Sequence, residues 1–310
     1  MTSSNSKPWH ILGAGAIGSL WCNYLLRNNQ SATLLCRSPE QLDGFWDNPF
    51  LTLVVASQRF KYQPATEMFS SNQPISRLLI TTKSYDTEAA IQSIAHRIQR
   101  DTIIVIMQNG MGGQQKVADL FPNSPVYAGT TTEGAYRTGS QQVVHAGRGE
   151  TWLGPFNKAA DDLGSQPLEA LLNLELTSCF DQSIHTRLWQ KLAINCAING
   201  LTAIHDCRNG ELLNSPYLEQ MQQLCEEFEQ VTEQLNQPLF EHSLFQAAKT
   251  VAQATGDNFS SMLQDVRHKR RTEIDYINGF ICQQAQQRGV SIPSHQQLVD
   301  QVKALNSQQE

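Results

Sequence analysis

The sequence predicts an α/β protein. Residues 1–182 read as a Rossmann-type doubly wound parallel sheet and residues 183–310 as an all-helical domain. Three observations predict this. Residues 9–18 read WHILGAGAIG, a short apolar run that ends in Gly13-x-Gly15-x-x-Gly18. Strand and helix signals then alternate for the first half of the chain, as they do when crossover helices join parallel strands. After about residue 183 the strand signals stop and long segments of helical periodicity take over.

The opening unit is strand, glycine turn, helix (SLWCNYLL) and second strand (SATLLCR). This order, within about 30 residues, turns a weak glycine pattern into a dinucleotide-binding signal. Gly13 permits the sharp turn, Gly15 lets backbone approach a pyrophosphate, and Gly18 lets the helix pack on the strand. The helix N-terminus, with Ala14, Ala16 and Ile17 between the glycines, offers N–H groups to phosphate. A chain that binds NAD places an acidic residue about 20 positions after the turn, for the ribose 2′-hydroxyl. Here the second strand ends in Arg37-Ser38, with no carboxylate before Glu40. A guanidinium pairs a 2′-phosphate that a carboxylate would repel, so Arg37 predicts NADP(H).

Further along, LTLVVA and RFKYQ, split by Ser57-Gln58, read as a hairpin. LLITT (78–82) reads as a buried strand, TEAAIQSIAHRI (87–98) as a helix, TIIVIM (102–107) as a strand and QQKVADLF (114–121) as a helix. VYAGTTT (126–132) is strand-like, and QVVHAGRGETWLGPF (142–156) reads as a second hairpin closing the domain. LTSCF (176–180) reads as a strand before the boundary near 181–184. In an open parallel sheet, ligands lie beyond the carboxyl ends of the strands. Lys83 follows LLITT and can bring charge near a ribose phosphate; it is equally the kind of lysine that simply solvates a loop. Asn109-Gly110 follows TIIVIM; Asn109 can hydrogen-bond the nicotinamide side or substrate, and Asn-Gly is also a common turn pair.

In the second half, residues 185–204, 217–235, 244–255, 273–288 and 295–305 read as helices. The first is the most informative. Lys191, Asn195 and Asn199 are spaced four and four, so they form one stripe that drifts only about 40° per step. The rest of that helix surface is nearly all apolar. Such a helix is buried on most sides, and its polar stripe either faces solvent or needs partners. Downstream, Ser260 or Ser261 starts a capped helix, and Glu273 precedes an apolar-periodic one, where the helix dipole also favours a carboxylate.

Composition excludes several classes. The chain has 310 residues, 40% hydrophobic and 17% charged, with net charge −6, so nothing favours nucleic acid or an anionic membrane. No apolar run approaches the about 18 residues of a membrane span. The seven cysteines are scattered and form no C-x-x-C, which points to reduced core thiols in a cytoplasmic protein and to no metal site. The polar stretch MTSSNSKP reads as a short floppy start.

The stretches LGAGAIGSLW, QNGMG, GTTT, LWQKLAINCAINGLTAI, CRNGEL and SSMLQDVRHKRRTEIDYINGF, with the Lys83 turn, resemble the ketopantoate reductase (2-dehydropantoate 2-reductase) family across nearly the full length. The resemblance implies NADPH-dependent reduction of ketopantoate to pantoate in pantothenate biosynthesis, by hydride transfer to the C2 ketone. It makes Lys191 the catalytic lysine and general acid, and Glu273 the active-site carboxylate that positions it or binds substrate or cofactor ribose. It makes Asn109, Lys191, Asn195, Asn199, Asn209 and Ser261 substrate ligands. It puts Gly13–Gly18, Arg37, Lys83, Asn109, Ala135 and Glu273 on the cofactor side. The implied partner is a small molecule, and the assembly a monomer or homodimer. One departure is mild: after GTTT, Glu133-Gly134-Ala135 is more acidic than the family leads one to expect. Two other readings remain open, a reductase of another 2-keto acid and a non-catalytic NADP sensor.

Overall fold

The structure is a computed structural model that describes residues 7–234 and 239–307. Residues 1–6 of the polar start, and the end of the helix expected over 217–235, lie outside the described residues. The chain forms two compact units. One comprises Met1–Gln108 with Gly113–His185, the other Asn109–Gly112 with Thr186–Glu310.

The first unit begins β1 (Trp9–Leu12), α1 (Ala16–Arg27), β2 (Ala32–Cys36), α2 (Pro39–Asp47), β3 (Leu51–Val55), β4 (Gln58–Tyr62), β5 (Ala65–Met68) and β6 (Ile75–Ile80). It continues through α3 (Thr87–Ser93), β7 (Ile98–Met107), α4 (Gly113–Leu120), β8 (Val126–Thr131), β9 (Gly134–Gly139), β10 (Gln142–Gly147) and β11 (Glu150–Pro155). The short α5 (Lys158–Asp161), α6 (Glu169–Leu172) and β12 (Thr177–Phe180) complete it.

Eight strands form one sheet in the order β12-β11-β8-β7-β6-β1-β2-β5. From β5 to β8 all neighbours are parallel, with Ile11 opposite Leu34 on one side and Leu79 on the other. This is the parallel, doubly wound sheet that the alternating signals predict, extended by an antiparallel β11. Strand order reverses between β1 and β6, which makes their carboxyl ends the crevice where such sheets bind ligands. The central strands are buried on both faces and therefore read as continuous apolar runs.

A second sheet, β4-β3-β10-β9, covers α1 from outside. That explains why Gly18 to Leu25 are all buried, including Trp21 and Tyr24: the helix has a sheet on two sides. The hairpin expected over 142–156 does not form. β10 runs parallel to β3 and antiparallel to β9, whereas β11 pairs with β8 and β12 in the large sheet. Two apolar runs around a glycine-rich turn have the same pattern whether they pair with each other or go to different sheets. The hairpin β3–β4 does form, around Ala56-Ser57. Both turn residues have positive φ, 47° and 67°, as a two-residue primed turn requires. Ser57→Gly should therefore stabilise the protein by about 1 kcal/mol, read as a higher midpoint in thermal denaturation.

The helix expected over 87–98 ends at Ser93 and is followed by a 3₁₀ turn, Ala95–Arg97. The turn drops the fully buried Arg97 onto the carbonyls of Gln73 and Met68 and the carboxylate of Glu67.

α7 (Ile184–His205) starts at the end of the first unit and runs into the second, where α8 (Tyr217–Glu233), α9 (Leu244–Ala254), α10 (Ser261–Arg267), α11 (Asn278–Arg288) and α12 (Pro293–Ser307) follow. The helix expected over 273–288 is interrupted. A 3₁₀ turn, Ile274–Tyr276, precedes a break at Ile277 (φ −108°, ψ −93°), and α11 starts only at Asn278. The cause is non-local: the Tyr276 carbonyl is turned out to accept the N–H of Met111 at 2.9 Å. Among the described residues no helix is long and apolar enough to cross a membrane.

Candidate active site

The glycine turn lies at the carboxyl end of β1. Gly13 has φ +106°, and a Cβ there would lie 2.6 Å from the Thr82 nitrogen. A Cβ on Gly18 would lie 2.0 Å from the Gly13 carbonyl oxygen. A Cβ on Gly15 would meet nothing within 4 Å, so backbone is left open there. Gly15 caps α1 without any side-chain cap, and no acid occupies the first turn, which begins with Ala16 and Ile17. These are the features a diphosphate needs: uncovered backbone, N–H groups without a capping side chain, and no competing negative charge. A dinucleotide fits this turn.

The segment after β6 packs directly on the turn. The Thr81 hydroxyl donates to the Gly13 carbonyl at 2.7 Å, and Lys83 follows two residues later, half-buried, before a 3₁₀ turn. Gln108, at the end of β7, donates to the Thr82 carbonyl at 3.1 Å and to the Thr87 hydroxyl. Gln108 and Thr81 thus lock the loop that carries Lys83, a role that no motif announced. Arg37 is exposed just beyond β2, its backbone N–H bound to Gln41 Oε1 at 2.8 Å. Ala135 sits near the start of β9, paired with His145 and packed against the same cluster as Ala14 and Ile17.

The acidic departure at Glu133 has a structural reason. Glu133 is only 7% exposed. Its Oε2 meets His145 Nε2 at 2.6 Å and accepts the Gly149 N–H at 3.0 Å. His145 Nδ1 is in turn 2.8 Å from the Tyr24 hydroxyl on α1. The carboxylate is thus built into the protein, and it fixes the corner from which β9 and Ala135 depart.

The helical unit holds the rest. Lys191, half-buried on α7, has its pKa drawn down to about 8 by burial, opposed by the charge of Glu273. Glu273 is 5% exposed, at the start of the 3₁₀ turn, and receives Asn109 Nδ2 at 3.5 Å. The turn Asn109–Gly112 belongs to this unit because its backbone is seated on Tyr276. Gly110 has φ +77°, and a Cβ there would lie 2.3 Å from the Tyr276 oxygen.

One turn and two turns along α7 from Lys191 stand Asn195 and Asn199. Neither carboxamide has a hydrogen-bond partner among the described residues, although Asn199 is only 8% exposed. Asn195 is half-buried, and carboxamides in that condition are suited to a polar ligand. Thr202 follows on the same helix and donates to the Ser260 hydroxyl at 2.7 Å. Ser260, not Ser261, is the N-cap of α10, accepting the Leu263 N–H. The exposed Ser261 is thereby held at the first position of a helix that is bonded to α7. Asn209 is buried; its Nδ2 donates to Thr255 at 2.9 Å, and its Oδ1 lacks a partner. Thr202 and Thr255 were not legible from the sequence, since each meets a partner at least 46 residues away, and Ser260 was legible only as a helix cap. Burial pushes the Cys225 thiol to about 12 and those of Cys207 and Cys282 to about 11, which disfavours the thiolate at these three positions.

Comparison with known proteins gives a consistent picture. The family model described as ketopantoate reductase PanE/ApbA matches residues 9–158, and its C-terminal counterpart matches residues 183–306. A 2-dehydropantoate 2-reductase from Vibrio cholerae is 34% identical over 301 residues, 95% of this chain and 96% of the relative. One from Escherichia coli O157:H7 is 33% identical over 305 residues, 97% of this chain and 95% of the relative. Among solved structures, D-mandelate dehydrogenase with NADH and anilino(oxo)acetate superposes with TM-score 0.87 at 25% identity, over 97% of this chain and 99% of that one. A PanE/ApbA family ketopantoate reductase from Ralstonia eutropha JMP134 gives TM-score 0.86 at 24% identity, over 97% and 99%.

Proposed function

The chain belongs to the ketopantoate reductase family, and on that premise we propose that it reduces 2-dehydropantoate to pantoate with NADPH, with Lys191 as general acid. The reaction is a step of pantothenate biosynthesis. The domains are assigned as residues 1–182 for the nucleotide and 183–310 for the substrate. The observation that carries the site reading is the half-buried lysine, drawn to about 8 beside the buried Glu273, on a helix that also presents two unpartnered carboxamides.

Bound NADPH supplies the hydride for the C2 ketone. As negative charge grows on the ketone oxygen, the Lys191 ammonium hydrogen-bonds that oxygen and gives it a proton. A lysine near 8 is a better proton donor than one at its ordinary value, and at neutral pH it is still mostly charged. Glu273 keeps that pKa from falling further, and in this reading it also positions the ammonium. Asn195, Asn199, Asn209 and Ser261 supply neutral hydrogen bonds to the substrate's carboxylate and hydroxyl. Gly13 to Gly18 hold the diphosphate and Arg37 the 2′-phosphate, with Lys83, Asn109 and Ala135 completing the cofactor side. A reducing compartment, the cytoplasm, suits seven free thiols.

The decisive assay follows NADPH oxidation with ketopantoate against a panel of other 2-keto acids. A phenyl-substituted 2-keto acid belongs in that panel because D-mandelate dehydrogenase shares the fold at 25% identity. A higher kcat/KM for it than for ketopantoate would establish the second reading, a reductase of aryl keto acids. Two variants separate cofactor from substrate contacts. Arg37→Asp should weaken NADPH more than NADH, since it replaces attraction of a 2′-phosphate by repulsion; titration of both cofactors checks this. Ser261→Ala should raise the ketopantoate KM roughly ten- to hundred-fold and leave binary NADPH affinity near wild type.

A further inference from the structure

We propose that Arg137, on β9, is a further cofactor-binding residue, a cation that holds the diphosphate of the dinucleotide at the glycine turn. The proposal rests on the reading that a dinucleotide occupies that turn.

Arg137 reaches the turn itself. Its Nη1 donates to the Ala14 carbonyl at 3.2 Å, inside Gly13-x-Gly15. Its Nε and Nη2 donate to the Gly139 and Ser140 carbonyls, at 3.1 and 2.5 Å, in the turn between β9 and β10. All three acceptors are neutral backbone oxygens, and no carboxylate of the described residues lies within ion-pair distance. A guanidinium so placed is oriented by the protein while its charge stays uncompensated. Of its five N–H groups, those carbonyls engage three, which leaves donors for an anion. Arg137 is an exposed residue, and the desolvation that its guanidinium does undergo, without a counter-ion, lowers its pKa. An anion at the turn would remove that cost. The N-terminus of α1 offers positive potential at the same place, and the space beside Gly15 is open.

The position specifies which phosphate. Arg137 contacts the turn after β1, whereas Arg37 follows β2, where the 2′-phosphate is read. The diphosphate is common to NADPH and NADH. Loss of Arg137 must therefore weaken both cofactors by one factor, while loss of Arg37 changes their ratio.

The test is cofactor binding to the whole protein by nicotinamide fluorescence, with the apo melting temperature measured in parallel and inorganic pyrophosphate as competitor. In Arg137→Gln we expect NADPH and NADH affinities to fall together by roughly ten-fold. The NADPH/NADH ratio should be unchanged, binding should depend less on salt, and competition by pyrophosphate should weaken. Arg137→Lys, which keeps the charge but not the three-carbonyl clamp, should recover part of the affinity. Unaltered affinity in a folded Arg137→Gln overturns the proposal. So does an equal loss in the Gln and Lys variants, which would make Arg137 a clamp only, or a loss confined to NADPH, which would move it to the 2′-phosphate. Failure of the wild-type protein to bind either cofactor would instead sink the underlying reading.

Discussion

Lys191→Ala is expected to lower turnover by about 10²-fold or more, with NADPH affinity little changed. The reason is the distribution of roles between the two units. The groups of the glycine turn lie in the first unit, and Lys191 lies on α7 with the carboxamides of Asn195 and Asn199. The pH profile makes the prediction specific. Lys191 must be protonated to act as an acid, and its pKa is about 8. So kcat/KM should be level below that value and fall about ten-fold per pH unit above it. Glu273 raises the lysine's pKa by its charge. Glu273→Gln should therefore move the alkaline limb to lower pH, and Lys191→Ala should abolish it. A limb that persists in the alanine variant, or that stays in place in Glu273→Gln, would take Lys191 out of the proton transfer.

Gly110→Ala should be nearly as damaging, although residue 110 contributes no functional group. Its φ of +77° disfavours any side chain, and the new Cβ would lie 2.3 Å from the Tyr276 oxygen. The turn must then lift off the carbonyl that accepts the Met111 N–H. Asn109 loses its placement at Glu273 with it. A displacement of about 1 Å in a positioned group can cost on the order of 10²-fold in rate. Steady-state kinetics of a folded Gly110→Ala variant test this, and kinetics near wild type would show that the turn is not a positioning element. The carboxamide alone is probed by Asn109→Ala, which keeps the backbone turn and should lose less.

How much of this was legible before the structure depends on the distance over which each feature is encoded. The glycine turn was legible because three glycines within six positions, between an apolar strand and a helix, describe one local conformation. The Lys191, Asn195 and Asn199 stripe was legible because a helix repeats every 3.6 residues. Glu133 was not: as an isolated acid it looks misplaced, and only His145, twelve positions on, and the Gly149 N–H make it a buried hydrogen-bonded carboxylate. Nor could the pattern around Arg148-Gly149 tell a hairpin from two strands that part company into different sheets.

The sequence by itself determined the class of fold, the glycine turn, the change from alternating to helical architecture and the polar stripe, since all of these are written in short-range order. Only the tertiary structure decided that Asn109 meets Glu273 across 164 positions, that the Glu273 charge acts on Lys191, that Tyr276 breaks a helix to seat a turn, and that Arg137 reaches Ala14. Those are choices of partner between distant segments. No local period encodes a partner, because the pairing depends on how the whole chain closes its sheets and buries its polar groups.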